Sequence, residues 1–256
     1  MLRIGILGAG HFAAAHLQAL QRLKDRARVV CYARRDAGRA FPEADAVGAA
    51  PIPLDDALES GDVDAVAVCV PNHLHRHCTE GALRAGKHVF CEKPLAMTVE
   101  DADAVIGAAE ESKRVLVVGH LTRHVPAYVK VAEILETGRL GKPHAMYASR
   151  MHCGGGRSWR MDPEVGGGVV FDLLVHDLDL MNWYLGMGKS ANQEEGSFRG
   201  PRSVIARGHR HPQGSYDYIA AIFSDPDDVI AVPILSSDPI VRNNGALGEL
   251  VQKPPS

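Results

Sequence analysis

No stretch of this chain is apolar for long enough to span a bilayer, so a membrane-crossing helix is not expected. A basic excess is missing as well: 28 Lys and Arg stand against 31 Asp and Glu, and the formal charge of -3 argues against a nucleic-acid surface, which would show a basic face. Cysteine is sparse and poorly spaced for bridging. Cys31, Cys69, Cys78, Cys91 and Cys153 are five in number with no close pair, and three of them fall inside predicted buried strands. That pattern suits reduced core thiols rather than a disulfide frame or a zinc site. Met1-Leu2-Arg3-Ile4-Gly5 enters a strand at once, and a cytoplasmic protein is the expectation. Thirteen histidines raise the question of a metal. The densest cluster is His73, His75 and His77, with His73 and His77 on one helix face, but no third ligand of suitable spacing accompanies them and no metal site is expected.

What is present describes an ordinary globular protein. The 256 residues are 46% hydrophobic and 23% charged, long for one core and short for two full-sized ones. Residues 2–7 form a short β run followed by Gly8-Ala9-Gly10-His11-Phe12-Ala13, and helical spacing continues through Leu23. A strand, a Gly-x-Gly turn and a helix in that order are the dinucleotide fingerprint. Gly8 permits the tight turn, Gly10 lets a pyrophosphate approach the backbone, and Ala13 is the small residue where helix and strand pack. The helix start at His11 and Phe12 then turns unpaired N–H groups toward phosphates. A second strand, Ala27 to Ala33, ends in Arg34-Arg35-Asp36. An arginine there accommodates a ribose 2′-phosphate, and an acid holds a 2′-hydroxyl. Arg34, with Arg35 beside it, favours NADP, while Asp36 keeps NAD open.

A helix over Leu54–Ser60 precedes the apolar strand Asp64–Val70, which runs into Pro71-Asn72-His73-Leu74-His75 and a helix ending before Gly86. Lys87-His88-Val89-Phe90-Cys91 reads as another buried strand, with Glu92-Lys93-Pro94-Leu95-Ala96 as its exit. Open α/β sheets place their ligands beyond the carboxyl ends of strands, so Pro71, Asn72, Glu92 and Lys93 are candidates. Thr98 caps a helix to Ser112, with Asp101 three residues on, and Val115–Gly119 is a further strand. These alternations imply a mainly parallel sheet.

The pattern then changes. A helix over Pro126–Thr137, with Val129, Ala132, Ile134 and Leu135 on its apolar face, is closed by Gly138, and Pro143–Met151 alternates as a strand. Gly154-Gly155-Gly156 and Gly166-Gly167-Gly168 bracket Ser158-Trp159-Arg160-Met161 in a loop needing unusual backbone angles. A helix over about 169–185 follows, in which Asp172, His176 and Asp179 share a face among apolar neighbours. Buried carboxylates beside a histidine need a reason, and function is the reading favoured here. Residues 186–202 read as a loop. Three antiparallel strands follow at Arg202–Arg207, Tyr216–Phe223 and Val229–Leu235, before an aperiodic tail from Asp238.

Taken in order, the Gly-Ala-Gly opening, Val70-Pro71-Asn72-His73-Leu74-His75, Ala85-Gly86-Lys87-His88-Val89, Cys91-Glu92-Lys93-Pro94-Leu95-Ala96 and Gly166-Gly167-Gly168 leading to Asp172 and His176 resemble the Gfo/Idh/MocA oxidoreductases. The resemblance implies an α/β protein: an amino-terminal Rossmann domain over 1–121 and a carboxyl-terminal α+β domain over 122–256. The second domain's mainly antiparallel open sheet would form a homo-oligomer contact. Family members usually continue well beyond residue 256, so a shortened sheet is expected. Lys93, Asp172 and His176 become the catalytic group, and Asn72, His75, Glu92, Trp159 and Arg160 stand beside the dinucleotide, with the proline of Glu-Lys-Pro often following a cis peptide. Leu121-Thr122 departs from the Asn or Arg usual there, although Arg123 and Pro126 are kept.

The activity implied is hydride transfer between NADP, or NAD, and a secondary alcohol or ketone of a sugar, polyol or cyclitol-like small molecule. Histidine suits proton transfer near neutrality, so His176 is the expected general acid/base, with Lys93 stabilising charge on the same oxygen and Asp172 orienting either. The roles of Lys93 and His176 could be exchanged. A dinucleotide-dependent glycoside hydrolase and a non-catalytic dinucleotide sensor are the alternatives.

Overall fold

The computed structural model describes residues 1–34, 41–141, 143, 145–151, 159–185, 203–212, 214–224 and 230–236. It divides into two compact units, Met1–Gly119 and His120–Ser256.

The first unit is a six-stranded sheet of β1 (Leu2–Leu7), β2 (Ala27–Ala33), β3 (Ala50–Ile52), β4 (Ala65–Val68), β5 (His88–Glu92) and β6 (Leu116–Gly119). Its order is β3-β2-β1-β4-β5-β6, with every pairing parallel. Such strands must be apolar on both sides because helices cover both faces. One face gathers Leu7, Val66, Val68, Leu83, Val89 and Val105, and the other Ile4, Ile6, Leu17, Val29 and Tyr32. The helices are α1 (His11–Gln21), the short α2 (Pro42–Asp45), α3 (Leu54–Glu59), α4 (His75–Arg84) and α5 (Val99–Ser112). The Thr98 side chain accepts from the Asp101 N–H, as the sequence predicts for a cap.

Several features of this unit differ from what the sequence predicts. α1 closes at Gln21, so Leu23 lies past it and is exposed. β4 is narrower than 64–70, and Asp64 ahead of it accepts from both the backbone and the guanidinium of Arg3 (2.8 and 2.7 Å). β3, unforeseen, is an edge strand of three residues carrying Pro51, which edges tolerate. Lys87 lies just outside β5 and is buried, its Nζ donating to the carbonyls of Ser60 and Val63.

Strand order reverses between β1 and β4, which puts their carboxyl ends side by side. Cys69 N–H donates to Leu7 O (2.7 Å) and Gly8 N–H to Ala33 O (2.8 Å), so three strand exits meet at Gly8. At φ +113°, a Cβ on Gly8 would lie 2.4 Å from Cys69 O, and only glycine fits there.

In the second unit α6 (Pro126–Glu136) precedes a four-stranded sheet of β7 (Ala145–Met151), β8 (Ser203–Arg210), β9 (Tyr216–Ser224) and β10 (Ile230–Ser236). The order is β7-β10-β9-β8. β8, β9 and β10 pair antiparallel as expected, whereas β7 joins β10 in parallel. The apolar face expected of α6 is weaker than its spacing implied: Ala132 is buried, Val129 and Leu135 are half-buried, and Ile134 is exposed. The helix expected over 169–185 opens as a π turn, Val170–Leu174, before α7 (Val175–Tyr184). Val169, Leu174, Ile219 and Leu235 form its core against the sheet. Arg35, Asp36, Cys153, Gly154-Gly155-Gly156, Ser158, the loop at 186–202 and the tail from Asp238 lie outside the described residues.

Candidate active site

Each unit carries its own group of candidate residues. In the first, α1 begins at His11 with Gly10 as its cap residue, and no side chain caps its leading N–H groups. A Cβ on Gly10 would meet nothing within 4 Å, so the space before the helix start is open. His11 is exposed and Phe12 half-buried beside it. Arg34 is half-buried at the exit of β2. Pro71 and the buried Asn72 open a 3-10 turn at the exit of β4.

His75, the first residue of α4, is 1% exposed. Its Nδ1 lies 2.6 Å from Pro94 O and its Nε2 2.9 Å from Val70 O. Burial holds this imidazole below the ordinary histidine value, against an upward pull from the two carbonyls and Glu92.

Glu92 closes β5 and Lys93 follows it, each 7% exposed, and the Lys93-Pro94 peptide is cis. Glu92 Oε1 meets His16 Nε2 at 2.7 Å, and the His16 ring stands edge-on to Phe90. Oε2 of Glu92 is buried with no hydrogen-bond partner among the described residues. A buried carboxylate oxygen in that state calls for a donor from a ligand or water.

These features fit a dinucleotide: uncapped N–H groups for a diphosphate, a glycine turn that permits close approach, and an acceptor waiting at the next strand exit. The thiols nearby do not offer nucleophiles, because burial pushes Cys78 and Cys91 up to about 12 and Cys69 higher still.

The second unit holds Trp159, Arg160, Asp172 and His176. Gly168, at φ +72°, packs so closely on Tyr216 O that a Cβ would come within 2.6 Å, and its N–H donates to Arg160 O. That fold-back sets Arg160 Nε 3.8 Å from Asp172 Oδ1, with the guanidinium over the Trp159 ring. Asp172 is half-exposed in the π turn, and His176 is buried one turn later.

The carboxylates near His176 along the chain, Asp172, Asp177 and Asp179, divide by partner. Asp177 accepts two bonds from Arg150 of β7 (2.7 and 3.2 Å), and Asp179 two from Arg123 (2.7 and 2.8 Å). Both aspartates are buried, and bidentate arginines supply the reason that their burial demands. Asp179 is thus structurally committed, whereas Asp172 stays beside Arg160. Arg150 is a lone charge on an otherwise apolar or small-residue strand, a pattern that signals a buried partner elsewhere in the fold. Among the described residues no group of three or more His, Cys, Asp or Glu side chains could hold a metal ion.

Residues 2–120 match the family model described as an oxidoreductase family with an NAD-binding Rossmann fold, and residues 128–237 match the GFO/IDH/MocA C-terminal domain. The chain is 37% identical over 195 residues to a 1,5-anhydro-D-fructose reductase from Ensifer adhaerens, covering 67% of this chain and 57% of that protein. It is 30% identical over 197 residues to a myo-inositol 2-dehydrogenase from Thermotoga maritima, covering 72% and 55%. Among solved structures it resembles the aldose-aldose oxidoreductase from Caulobacter crescentus complexed with glycerol (TM-score 0.77, 26% identity, 92% of this chain and 70% of that one). It also resembles GenD2 from gentamicin A biosynthesis in complex with NAD (TM-score 0.81, 25% identity, 92% and 65%). The chain spans little more than half the length of these two curated relatives. With both family models matched in order along it, the chain belongs to the Gfo/Idh/MocA oxidoreductase family.

Proposed function

We propose that this chain is a nicotinamide-dependent oxidoreductase acting on a secondary alcohol or the corresponding ketone of a sugar, polyol or cyclitol. The observation that carries the reading is the burial of Lys93 beside Glu92 at the exit of β5, on a sheet whose neighbouring exits provide a glycine turn and an uncapped helix start. A bound nicotinamide supplies the hydride chemistry, and the chain's own groups bind, orient and move protons.

Gly8, Gly10 and the N–H groups at His11 and Phe12 hold the diphosphate. Pro71, Asn72 and Glu92 line the next exits, with the buried Glu92 Oε2 as an acceptor. His176 takes the hydroxyl proton as general base, since imidazole is the side chain that changes charge near neutrality. Lys93 donates a hydrogen bond to a substrate oxygen and stabilises the negative charge that develops on it. Asp172 orients His176, and Arg160 beside it helps fix its direction. The named activities of the Ensifer and Thermotoga relatives support a carbohydrate-like substrate.

Arg34 at the β2 exit supports NADP over NAD. The test is a titration with NADPH and NADH, followed by a polyol and sugar panel read at the nicotinamide absorbance. NADPH should bind more tightly, and Arg34→Ala should erase the difference. Lys93→Ala and His176→Ala should each abolish most turnover while leaving dinucleotide affinity within a few-fold. Full turnover in both variants would remove these two residues from the mechanism, and equal binding of the two dinucleotides would remove Arg34 from recognition.

The carboxyl-terminal sheet is proposed as the contact with a second copy of the chain. Ile205 and Ile222 pair across β8 and β9 and both are exposed, as is Tyr147 on β7, an apolar exposure that a subunit partner would cover. Ile205→Lys should then convert an oligomer to a monomer by light scattering, and an unchanged mass would rule this surface out. The four described cysteines are unpaired, which supports a reducing, cytoplasmic compartment.

A further inference from the structure

His75 is placed where a ligand contact would be looked for, yet its ring is taken up by the chain itself. Nδ1 lies 2.6 Å from Pro94 O and Nε2 2.9 Å from Val70 O. The first carbonyl follows the exit of β5 and the second follows the exit of β4, two strands paired in parallel up to Val68 and Cys91. One buried imidazole therefore spans the two adjacent strand exits that carry Asn72 on one side and Lys93 on the other. A carbonyl oxygen can only accept, so each contact asks the ring for an N–H, and a neutral imidazole has one to give.

We infer that His75 is a positioning residue for Lys93. Its Nδ1–H holds the Pro94 carbonyl, and so fixes the peptide plane between Pro94 and Leu95. Proline's ring fixes its own φ, which leaves few free rotations between the held carbonyl and the Lys93 Cα. The second ring nitrogen carries no proton in that tautomer, so it packs 2.9 Å from the Val70 carbonyl without a hydrogen bond to it. His75 thus touches neither substrate nor reacting atoms; it sets the direction from which the Lys93 side chain departs. This inference rests on the proposal that Lys93 meets the substrate oxygen. Displacing such a group by about 1 Å costs up to about a hundredfold in rate.

Three substitutions separate positioning from simple filling of space. His75→Asn keeps an amide N–H near the place of Nδ1, toward Pro94 O. His75→Gln carries its amide further out, near the place of Nε2 and toward Val70 O. His75→Leu fills the volume with no donor. The full chain, labelled with 15N-lysine and 15N-leucine, is followed by NMR at the Lys93 and Leu95 amides, and kcat and dinucleotide affinity are measured separately. The expected result is that Leu and Gln displace both amide signals and lower kcat by about tenfold to a hundredfold with dinucleotide affinity retained. Asn should leave the signals near their wild-type positions and restore most of kcat. Wild-type positions for Lys93 and Leu95 in His75→Leu would overturn the inference, as would equal displacement by Asn and Gln. If His75→Leu does not fold, the comparison of Asn with Gln decides. The spectra need no turnover, so a wild-type protein inert toward every polyol would defeat the proposed activity while the amide signals still judged His75.

Discussion

The Arg150–Asp177 pair offers the sharpest test of what holds the candidate acid/base in place. Asp177 follows His176 on α7, and its side chain is 5% exposed. Arg150 reaches it from β7 with contacts of 2.7 and 3.2 Å, and the neighbouring carboxylate raises the guanidinium's already high pKa. Replacing Arg150 with methionine keeps much of the side-chain stem but strands a buried carboxylate. Breaking one side of such a pair costs roughly 3–5 kcal/mol, a large share of the ~5–15 kcal/mol that holds a typical protein folded. At about 2–4 °C per kcal/mol for a protein of this size, melting should fall by roughly 10 °C.

Urea denaturation and calorimetry on wild type, Arg150→Met, Asp177→Leu and the double variant measure this as a cycle. The double variant should recover most of the loss, since two apolar side chains replace a buried ion pair at little net cost. A single variant that loses less than about 1 kcal/mol, or a double variant as unstable as Arg150→Met, would refute the claim that the pair anchors α7 to the sheet.

Two further outcomes follow from the first unit. Gly8→Ala forces a Cβ against Cys69 O and a backbone angle that side chains rarely adopt, so dinucleotide binding should be lost and unfolding should begin at lower denaturant; a variant that binds NADPH normally would show that the turn relaxes. His75, whose pKa is depressed by burial, contributes stability that is present above the ordinary histidine value of about 6.5 and is lost as pH falls through the lower folded-state value. Denaturation curves taken from pH 7.5 down to 5 should show that loss in wild type and a flatter profile in His75→Asn, and identical profiles would assign the loss to other groups.

Much of the first unit can be read from local pattern because its signals span only a few residues. A β run, two glycines and a helix mark the switch point, Thr98 and Asp101 mark a cap, and Glu-Lys-Pro at a strand end marks the lysine. Each of these depends on neighbours within one turn or one strand, where periodicity and backbone sterics act directly. What the sequence by itself determined is therefore the order of strand exits and the residues they carry.

Only the tertiary structure decided which groups answer one another across long separations. β3 exists because β2 offers it an edge to pair with, and its three residues have no periodicity of their own. β7 lies parallel to β10, a choice made by sheet register and not by alternation. Asp177 and Asp179 look alike beside His176 until Arg150 and Arg123, distant along the chain, claim them. The nitrogens of His75 face Val70 O and Pro94 O, carbonyls that nothing in the sequence pairs with it. A side chain's polarity is written in its sequence, but its partner is set by which backbone packs against it. Buried polar groups must be satisfied by whatever that packing brings.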